Sequence, residues 1–359
     1  MAKLTKKRAS TLRRVHARGE DVCRFIVEHV EKHPGDIAKV AGSHFEISRQ
    51  AVSKHLQKLV AEGSLQHKGN TRNRTYKLAP LADWVTSYAL NSDLQEDIVW
   101  TKDIRPALGN LPENVMNIWH HGFTEMFNNA IDHSAGKQVI VRIRKTAAST
   151  EMLLGDDGVG IFRKIQREKG LLDERHALLE LSKGKLTTDP KRHSGEGIFF
   201  SSRMFDAFRI LSGSTYFSHK LGEPSDWLSE RVSPEDDGTT VFMTLQNHSS
   251  RTTRKIFDQF TSGEDFGFSK TIVPVRLAQY GEDLLISRSQ ARRVLARVEM
   301  FKTVYFDFKA VETIGQAFAD EVFRVFAIAH PDIELLELNA NSAVKRMIAH
   351  VTASSRLSK

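Results

Sequence analysis

Cysteine is almost missing: Cys23 is the only one in 359 residues. One thiol cannot build a disulfide framework or a cysteine-based zinc site. It fits a reducing compartment. Long apolar runs are missing too. No stretch approaches the roughly 18 apolar residues that a membrane-spanning helix needs. Residues 1–18 are basic but lack the apolar segment of a signal peptide. The expectation is a cytoplasmic protein with no membrane partner. What remains is ordinary globular material, 40% apolar and 27% charged. The length suits two or three domains, each with its own core.

Charge is unevenly spread. The formal net charge is +8, yet residues 1–80 alone carry 17 Lys and Arg against 7 Asp and Glu. The remaining chain is slightly acidic. Such a basic first fifth points to a module that faces nucleic acid.

Apolar periodicity predicts helices over Glu20–Lys32, from Asp36 to Ala41, and over Ile47–Leu59. In the third, Val52, Leu56, Leu59 and Val60 face inward, behind Ser48 as N-cap. Arg49, Gln50, Ser53, Lys54 and Gln57 face outward, the side-chain types that reach bases and phosphates. Gly63–Leu78 reads as a β-hairpin with Arg72 and Arg74 at its basic tip. Three helices and a hairpin, with the string Ser48-Arg49-Gln50-Ala51-Val52-Ser53-Lys54-His55-Leu56, resemble the winged helix-turn-helix family. The resemblance implies double-stranded DNA as partner, with the third helix in the major groove and Arg72 and Arg74 on backbone or minor groove.

Residues 81–113 are read as a helical linker, broken by Pro106, Gly109 and Pro112. The stretch from Trp119 to Ser134 then predicts a two-faced helix. Phe123, Met126, Phe127, Ala130 and Ile131 form an apolar stripe. Glu125, Asn129 and Asp132 share the opposite face, with His121 one turn earlier. Those oxygens suit Mg²⁺, and a carboxylate there could act as a general base. Taken alone, the same face also describes an ordinary solvated helix.

Two predicted strands, at Gln138–Ile143 and Glu151–Leu154, lead into Asp156-Asp157-Gly158-Val159-Gly160. A Lys/Arg-rich segment runs from Phe162 to Arg192. Gly195-Glu196-Gly197 opens a helix, where free N–H groups could hold an anion. Asp237-Gly238-Thr239 then precedes a strand. Glu125-x-x-x-Asn129-Ala130, Asp156-x-Gly158-x-Gly160, Gly195-x-Gly197 and Gly238-Thr239, in that order, resemble the GHKL or Bergerat-fold ATPases. Asn129-Ala130-Ile131-Asp132-His133 is similar to the anti-sigma-factor serine kinases within that group.

The resemblance implies ATP and Mg²⁺ as cofactors. It makes Asn129 the Mg²⁺ ligand, Glu125 the activator of the attacking water or hydroxyl, and Asp132 a residue facing the nucleotide. Asp156 would read adenine, with Thr239 supporting it. Gly158 and Gly160 would shape the base pocket, and Gly195 and Gly197 would hold phosphates. Residues 162–192 would form a mobile lid, with Lys183, Lys185 and Arg192 as cations for the γ-phosphate.

The last hundred residues have no glycine-rich phosphate loop and no acid–base cluster. Strand–helix alternation there predicts a small α/β layer. Val304–Phe318 resembles the central strand-to-helix segment of STAS domains, and more closely a STAS-like group found beside GHKL ATPases. Where antagonists of that family carry a phosphorylated Ser, this chain has Gly315-Gln316-Ala317, so a docking or sensing role is expected. Thr313 is the nearest hydroxyl.

The expected architecture is therefore multidomain α+β and α/β. A winged helix (1–80) and linker (81–113) precede a GHKL sandwich of helices over a mixed sheet (114–248), and a STAS-like α/β domain (260–359) follows. The expected function is an ATP-responsive, DNA-binding transcription regulator with weak ATPase activity. It would be a homodimer that contacts a protein partner through its last domain. A protein serine/threonine kinase of a partner-switching system and a non-catalytic nucleotide-binding adaptor are the alternatives.

Overall fold

The computed structural model describes residues 19–70, 73–187, 195–221, 227–230, 237–261, 267–279 and 284–356. It is a mixed α/β, multidomain chain. Arg72 and Arg192 lie outside the described residues.

The N-terminal module has helices α1 (19–29), α2 (Ile37–Phe45) and α3 (Arg49–Ala61), then the antiparallel hairpin of β1 (Leu65–Lys68) and β2 (Thr75–Leu78). Val22, Ile26, Val30, Ile37, Val52, Leu56 and Leu65 form a core of their own. Ser48 caps α3 by accepting a hydrogen bond from Ala51 N at 3.2 Å. Tyr76 N donates to Pro34 O at 2.8 Å, which ties the hairpin to the turn after α1. Ala147 and Ala148, on the turn between two later strands, pack against this core.

A seven-stranded sheet follows, in the order 82–89, 138–145, 149–156, 239–246, 207–212, 215–220, 227–230; every neighbouring pair is antiparallel, so it is not the mixed sheet expected. Its first strand is β3 (Ala82–Ala89), where the sequence suggested a helical linker. Trp84, Thr86 and Tyr88 alternate inward, a period of two that outweighs the helix-prone residues around it. The helical part of the linker comes later and is short: α4 (Glu96–Val99), a π turn (Trp100–Ile104) and α5 (Arg105–Leu108).

The long helix α6 (Glu113–His133) is followed by β4 (Gln138–Lys145) and β5 (Ser149–Asp156), and packs on the sheet at β5. It buries Trp119, Phe123 and Phe127 completely. Gly122 is needed within it: a Cβ there would stand 2.5 Å from the Phe205 ring. After β5 come α7 (Ile161–Lys169), α8 (Glu174–Lys183) and α9 (Gly197–Met204). Strands β6 (Ala207–Ser212), β7 (Thr215–Lys220), β8 (Trp227–Glu230) and β9 (Thr239–Gln246) complete the sheet. Val241, Met243 and Leu245 of β9 alternate into the core.

Helix α10 (Thr253–Phe260) leads to the C-terminal domain. There β10 (Lys270–Pro274), β11 (Thr303–Asp307) and β12 (Glu334–Leu338) form a parallel three-stranded sheet. Between β10 and β11 lie a 3₁₀ turn (Val275–Ala278), α11 (Arg288–Leu295) and a second 3₁₀ turn (Val298–Met300). From β11 to β12 runs α12 (Gln316–Asp320), continued by a π turn and α13 (Ala327–Ala329). The last helix is α14 (Ser342–Arg356). One hydrophobic core runs from the sheet domain into this domain, through Leu178, Leu181, Phe199, Phe268, Val273 and Leu295. Among the described residues no helix is long and apolar enough to cross a membrane.

Candidate functional site

The polar face of α6 opens onto a cavity of about 250 Å³ between the helices and the sheet. Glu125 and Asn129 enter from α6, Asp156 from the end of β5 and Thr239 from the start of β9. Gly195 and Gly197 enter before and at the start of α9. These segments are up to 114 positions apart in the chain, between Glu125 and Thr239. The sheet register brings two of them together, since Asp156 and Thr239 are paired partners across β5 and β9.

Asp156 is held tightly. Its Oδ1 accepts from Gly158 N at 3.0 Å and from Thr239 N at 3.3 Å. Burial nevertheless pushes its carboxyl above the ordinary value, against the pull of those two amides. Thr239 supports Asp156 with its backbone amide, while its hydroxyl accepts from Ile161 N at 3.0 Å and fixes the start of α7.

The two glycines after Asp156 have steric reasons to be glycine. A Cβ on Gly158 would fall 2.1 Å from Ser134 O, so this loop lies directly on the end of α6. Gly160 has φ +83°, and a Cβ there would meet Ser212 Oγ at 2.7 Å. Neither lines the cavity itself; Gly158 packs behind the lining residue Ser134, and Gly160 immediately precedes the lining residue Ile161.

At the opposite end, Glu125 meets the first turn of α9. A Cβ on Gly197 would stand 1.9 Å from Glu125 Oε2. A carboxylate beside a helix N-terminus is favoured by the free N–H groups and the dipole. Gly195, at φ +71°, presents its carbonyl to Leu186 N at 3.2 Å. Apolar walls complete the space: Ile161, Ile165, Ile210 and Val241 on the Asp156 side, Leu181, Leu186 and Ile198 near Gly197. The cavity thus has an end where the half-buried Asp156 carboxyl stands among aliphatic side chains, and an end with a carboxylate, a carboxamide and glycine backbone. Among the described residues no group of three His, Cys, Asp or Glu could hold a metal unaided. Asn129 and Glu125 suit a Mg²⁺ ion that takes its other oxygens from a ligand and water.

Three residues of the expected set stand elsewhere. Asp132 is exposed and does not line the cavity; His133 and Ser134, one and two positions on, do. Asp132 shares the face of Glu125, but i+7 carries it about 10.5 Å further along the axis, to the last turn of α6 and past the opening. Lys183 is fully buried with its Nζ on Glu180 Oε1 at 2.6 Å, Ala296 O at 2.8 Å and Arg293 O at 3.0 Å. Lys185 Nζ donates to Met300 O at 3.0 Å and lies over the Phe268 and Phe301 rings. Both lid cations point into the C-terminal domain. The described part of the lid is itself largely α7 and α8, and α8 is buried from His176 to Lys183.

His121 also leaves the site. It stands edge-on to Phe257, 5.6 Å between ring centroids, and burial pushes its imidazole down to about 4. The sequence reading missed Lys164, which lines the cavity and donates from Nζ to His133 O at 2.9 Å. The signal was present: Ile161, Lys164 and Ile165 fall at i, i+3 and i+4 just after Gly160.

On the N-terminal module, Arg49, Gln50, Lys54 and Gln57 lie exposed along one side of α3, while Ser53 and Arg74 are half-buried. The buried Arg74 Nε has no hydrogen-bond partner.

A family model described as a STAS-like domain of unknown function (DUF4325) matches residues 290–345. This stretch is a STAS-like domain. No curated protein matches the chain. The STAS-like domain includes β11, α12 and β12, and its first residues, Arg293 to Arg297, are those that touch α8. Its helix α12 starts at Gln316 with Gly315 as N-cap, where a Cβ would press on Ile286 Cα at 2.8 Å. A side chain at that cap would have to displace Ile286.

Proposed function

We propose that this chain is an ATP-responsive, DNA-binding regulator whose central domain is of the GHKL type and whose N-terminal module is a winged helix. One observation carries the reading. Four separate sequence motifs, anchored at Glu125, Asn129, Asp156, Gly195, Gly197 and Thr239, converge on one cavity, with aliphatic side chains around Asp156. Adenine suits the Asp156 end, with the carboxylate accepting from its amino group. The phosphates suit the backbone around Gly195 and Gly197 and the N-terminus of α9.

Asn129 would hold the Mg²⁺ that accompanies the phosphates. That ion neutralises phosphate charge when bound. Glu125, beside the start of α9, is placed to take a proton from a water molecule in a slow hydrolysis step. Asp156 and its two amide donors orient the base end, and Ile161, Ile165 and Ile210 exclude water from it.

The N-terminal module offers Arg49, Gln50, Lys54 and Gln57 as one exposed, basic and polar face, suited to a DNA major groove. Only Ala79 to Leu81 separate its hairpin from β3, and Ala147 and Ala148 of the β4–β5 turn pack on its core. A change in the nucleotide domain has a short, packed route to the DNA-binding face. ATP-linked dimerisation would then set the spacing of two such faces on a two-fold site.

The test is DNA binding to a selected duplex, measured with and without Mg-ATP, alongside the mass of the protein in solution. The expected result is ATP binding with an affinity or footprint on DNA that changes with nucleotide. ATP binding with unchanged DNA behaviour refutes the coupling; no ATP binding refutes the nucleotide reading.

A further inference from the structure

Helix α8 and the three residues after it lie between two domains, and the STAS-like domain holds them. Arg297 is the centre of that hold. Its Nη1 donates to Glu180 Oε2 at 3.0 Å, and its Nη2 donates to Gly184 O at 3.1 Å and also to Lys185 O. Lys183, fully buried, returns the contact by donating to two carbonyls of the STAS-like domain, those of Arg293 and Ala296. Thr271 Oγ1 donates to Lys183 O at 2.7 Å.

The backbone at this junction is unusual on both sides. Arg297 has φ +63° and Lys185 φ +52°, values that residues with side chains rarely adopt. Gly184 has φ +79°, and a Cβ there would lie 2.6 Å from the Phe268 ring. Such conformations persist where surrounding contacts over-determine them. A guanidinium that binds one carboxylate and two successive carbonyls supplies that constraint.

What this constraint holds is the wall of the cavity. The two carbonyls gripped by Arg297 immediately precede Leu186 and Thr187, which line the polar end. Leu186 N in turn donates to Gly195 O at 3.2 Å, and Gly195 lines the same end. The chain of contacts runs from Arg297 through 184–187 to Gly195 and the start of α9. The Asp156 carboxyl is held separately, by Gly158 N at 3.0 Å and Thr239 N at 3.3 Å.

We infer that Arg297 is a positioning residue for the phosphate-binding end of the nucleotide cavity, so that the STAS-like domain completes the ATP site of its own chain. The inference rests on the nucleotide reading above. It makes any event that moves the 3₁₀ turn at Val298–Met300 a control on triphosphate binding. It leaves recognition of the base to the sheet domain alone.

The experiment uses the full chain and a fluorescent N-methylanthraniloyl-ATP probe, displaced by ATP and by adenosine. The variants are Arg297→Lys and Arg297→Ala. Arg292→Ala is the control, because Arg292 pairs with Glu321 at 2.9 Å inside the STAS-like domain and not with α8. Lysine can meet Glu180 but cannot also span two carbonyls. Both Arg297 variants should lose ATP affinity by about tenfold or more, the effect of a lost charge-assisted hydrogen bond, while adenosine affinity stays within about twofold. The control should match wild type for both ligands. A general loss of structure would lower both affinities together, and that outcome overturns the positioning role, as does an unchanged ratio of ATP to adenosine affinity in Arg297→Lys. A wild-type protein that binds neither ligand refutes the nucleotide reading instead.

Discussion

Asp156→Asn separates stability from function at one residue. The carboxyl is buried, and burial raises its pKa above the ordinary 3.8. A carboxyl with a raised folded-state pKa contributes stability that is complete below the unfolded value and is lost as pH rises through the folded value. At neutral pH the wild-type protein therefore carries a desolvated charge that costs stability. Asparagine has nearly the same shape, and its carbonyl oxygen can still accept from Gly158 N and Thr239 N, the bonds now at 3.0 and 3.3 Å. Removing the charge while keeping those bonds should raise stability at pH 7 by about 0.5–2 kcal/mol. The gain should shrink as pH falls through the raised folded value and reach its floor only below 3.8, where the wild-type carboxyl is protonated in both states.

Function should move the other way. On the nucleotide reading, Asp156 accepts from the amino group of adenine in a dry site. A hydrogen bond to a charged group there is worth about 1.5–3 kcal/mol, which corresponds to roughly ten- to a hundredfold in affinity. Urea unfolding between pH 3.5 and 8 reads the first effect, and calorimetric titration with ATP reads the second. The variant should be more stable at neutral pH and a weaker binder. An affinity for ATP within about twofold of wild type would refute the role of Asp156 as the base reader. A variant less stable than wild type at pH 7 would refute the account of the buried charge.

Lys183→Met removes one partner of a fully buried ion pair and leaves the Arg293 and Ala296 carbonyls without their donor. The cost in urea unfolding should be about 3–5 kcal/mol, at the lower end because Arg297 still pairs Glu180 at 3.0 Å; a loss below about 1 kcal/mol would show that the buried contacts are dispensable. Gly197→Ala places a methyl group where Glu125 Oε2 now sits, 1.9 Å away. The carboxylate can swing aside, so the fold should survive, while ATP turnover falls by about a hundredfold from the displaced group; wild-type turnover would remove Glu125 from the reaction. His121→Phe should flatten the acid limb of the stability profile. The wild-type contribution is fully present above 6.5 and gone below about 4, a span of about 3 kcal/mol, and identical wild-type and variant profiles would contradict the buried, neutral imidazole. Arg49→Ala with Lys54→Ala should weaken DNA binding and reduce the salt dependence by roughly one unit per lost phosphate contact; unchanged binding in a gel-shift titration would remove α3 from the interface.

Short-range pattern was the legible part of this molecule. The α6 stripe of Phe123, Met126, Phe127 and Ala130, the strand at 138–145 and the Ser48 cap each follow from spacing within a few residues. In the last domain the expected strand–helix alternation is present, in β11 (Thr303–Asp307), the helices after it and β12 (Glu334–Leu338). Strand β3 was not, although Trp84, Thr86 and Tyr88 alternate cleanly. Its state is decided by pairing with β4, from Ala82 against Lys145 to Ala89 against Gln138, and a partner some fifty positions away leaves little local trace. Leu284–Ser287 shows the converse: apolar enough to suit a strand, it forms among the described residues a single bridge, from Leu285 to Ile314.

The lid cations show why side-chain roles are harder still. A lysine in a basic segment near a glycine pair expected to hold phosphate invites a catalytic reading, and Lys183 and Lys185 both stand in that context. What decides their direction is a set of carbonyl groups 110 or more positions later, on Arg293, Ala296 and Met300. Backbone carbonyls carry no sequence signal, since every residue has one. Only the packing of α8 against the STAS-like domain turns them into a cation site and removes the lysines from the cavity. The same packing sets Arg297, a residue that no nucleotide motif would single out, behind the cavity wall, on the carbonyls of Gly184 and Lys185. The motif residues define where a ligand can sit; the distant domain decides which loop residues can reach it.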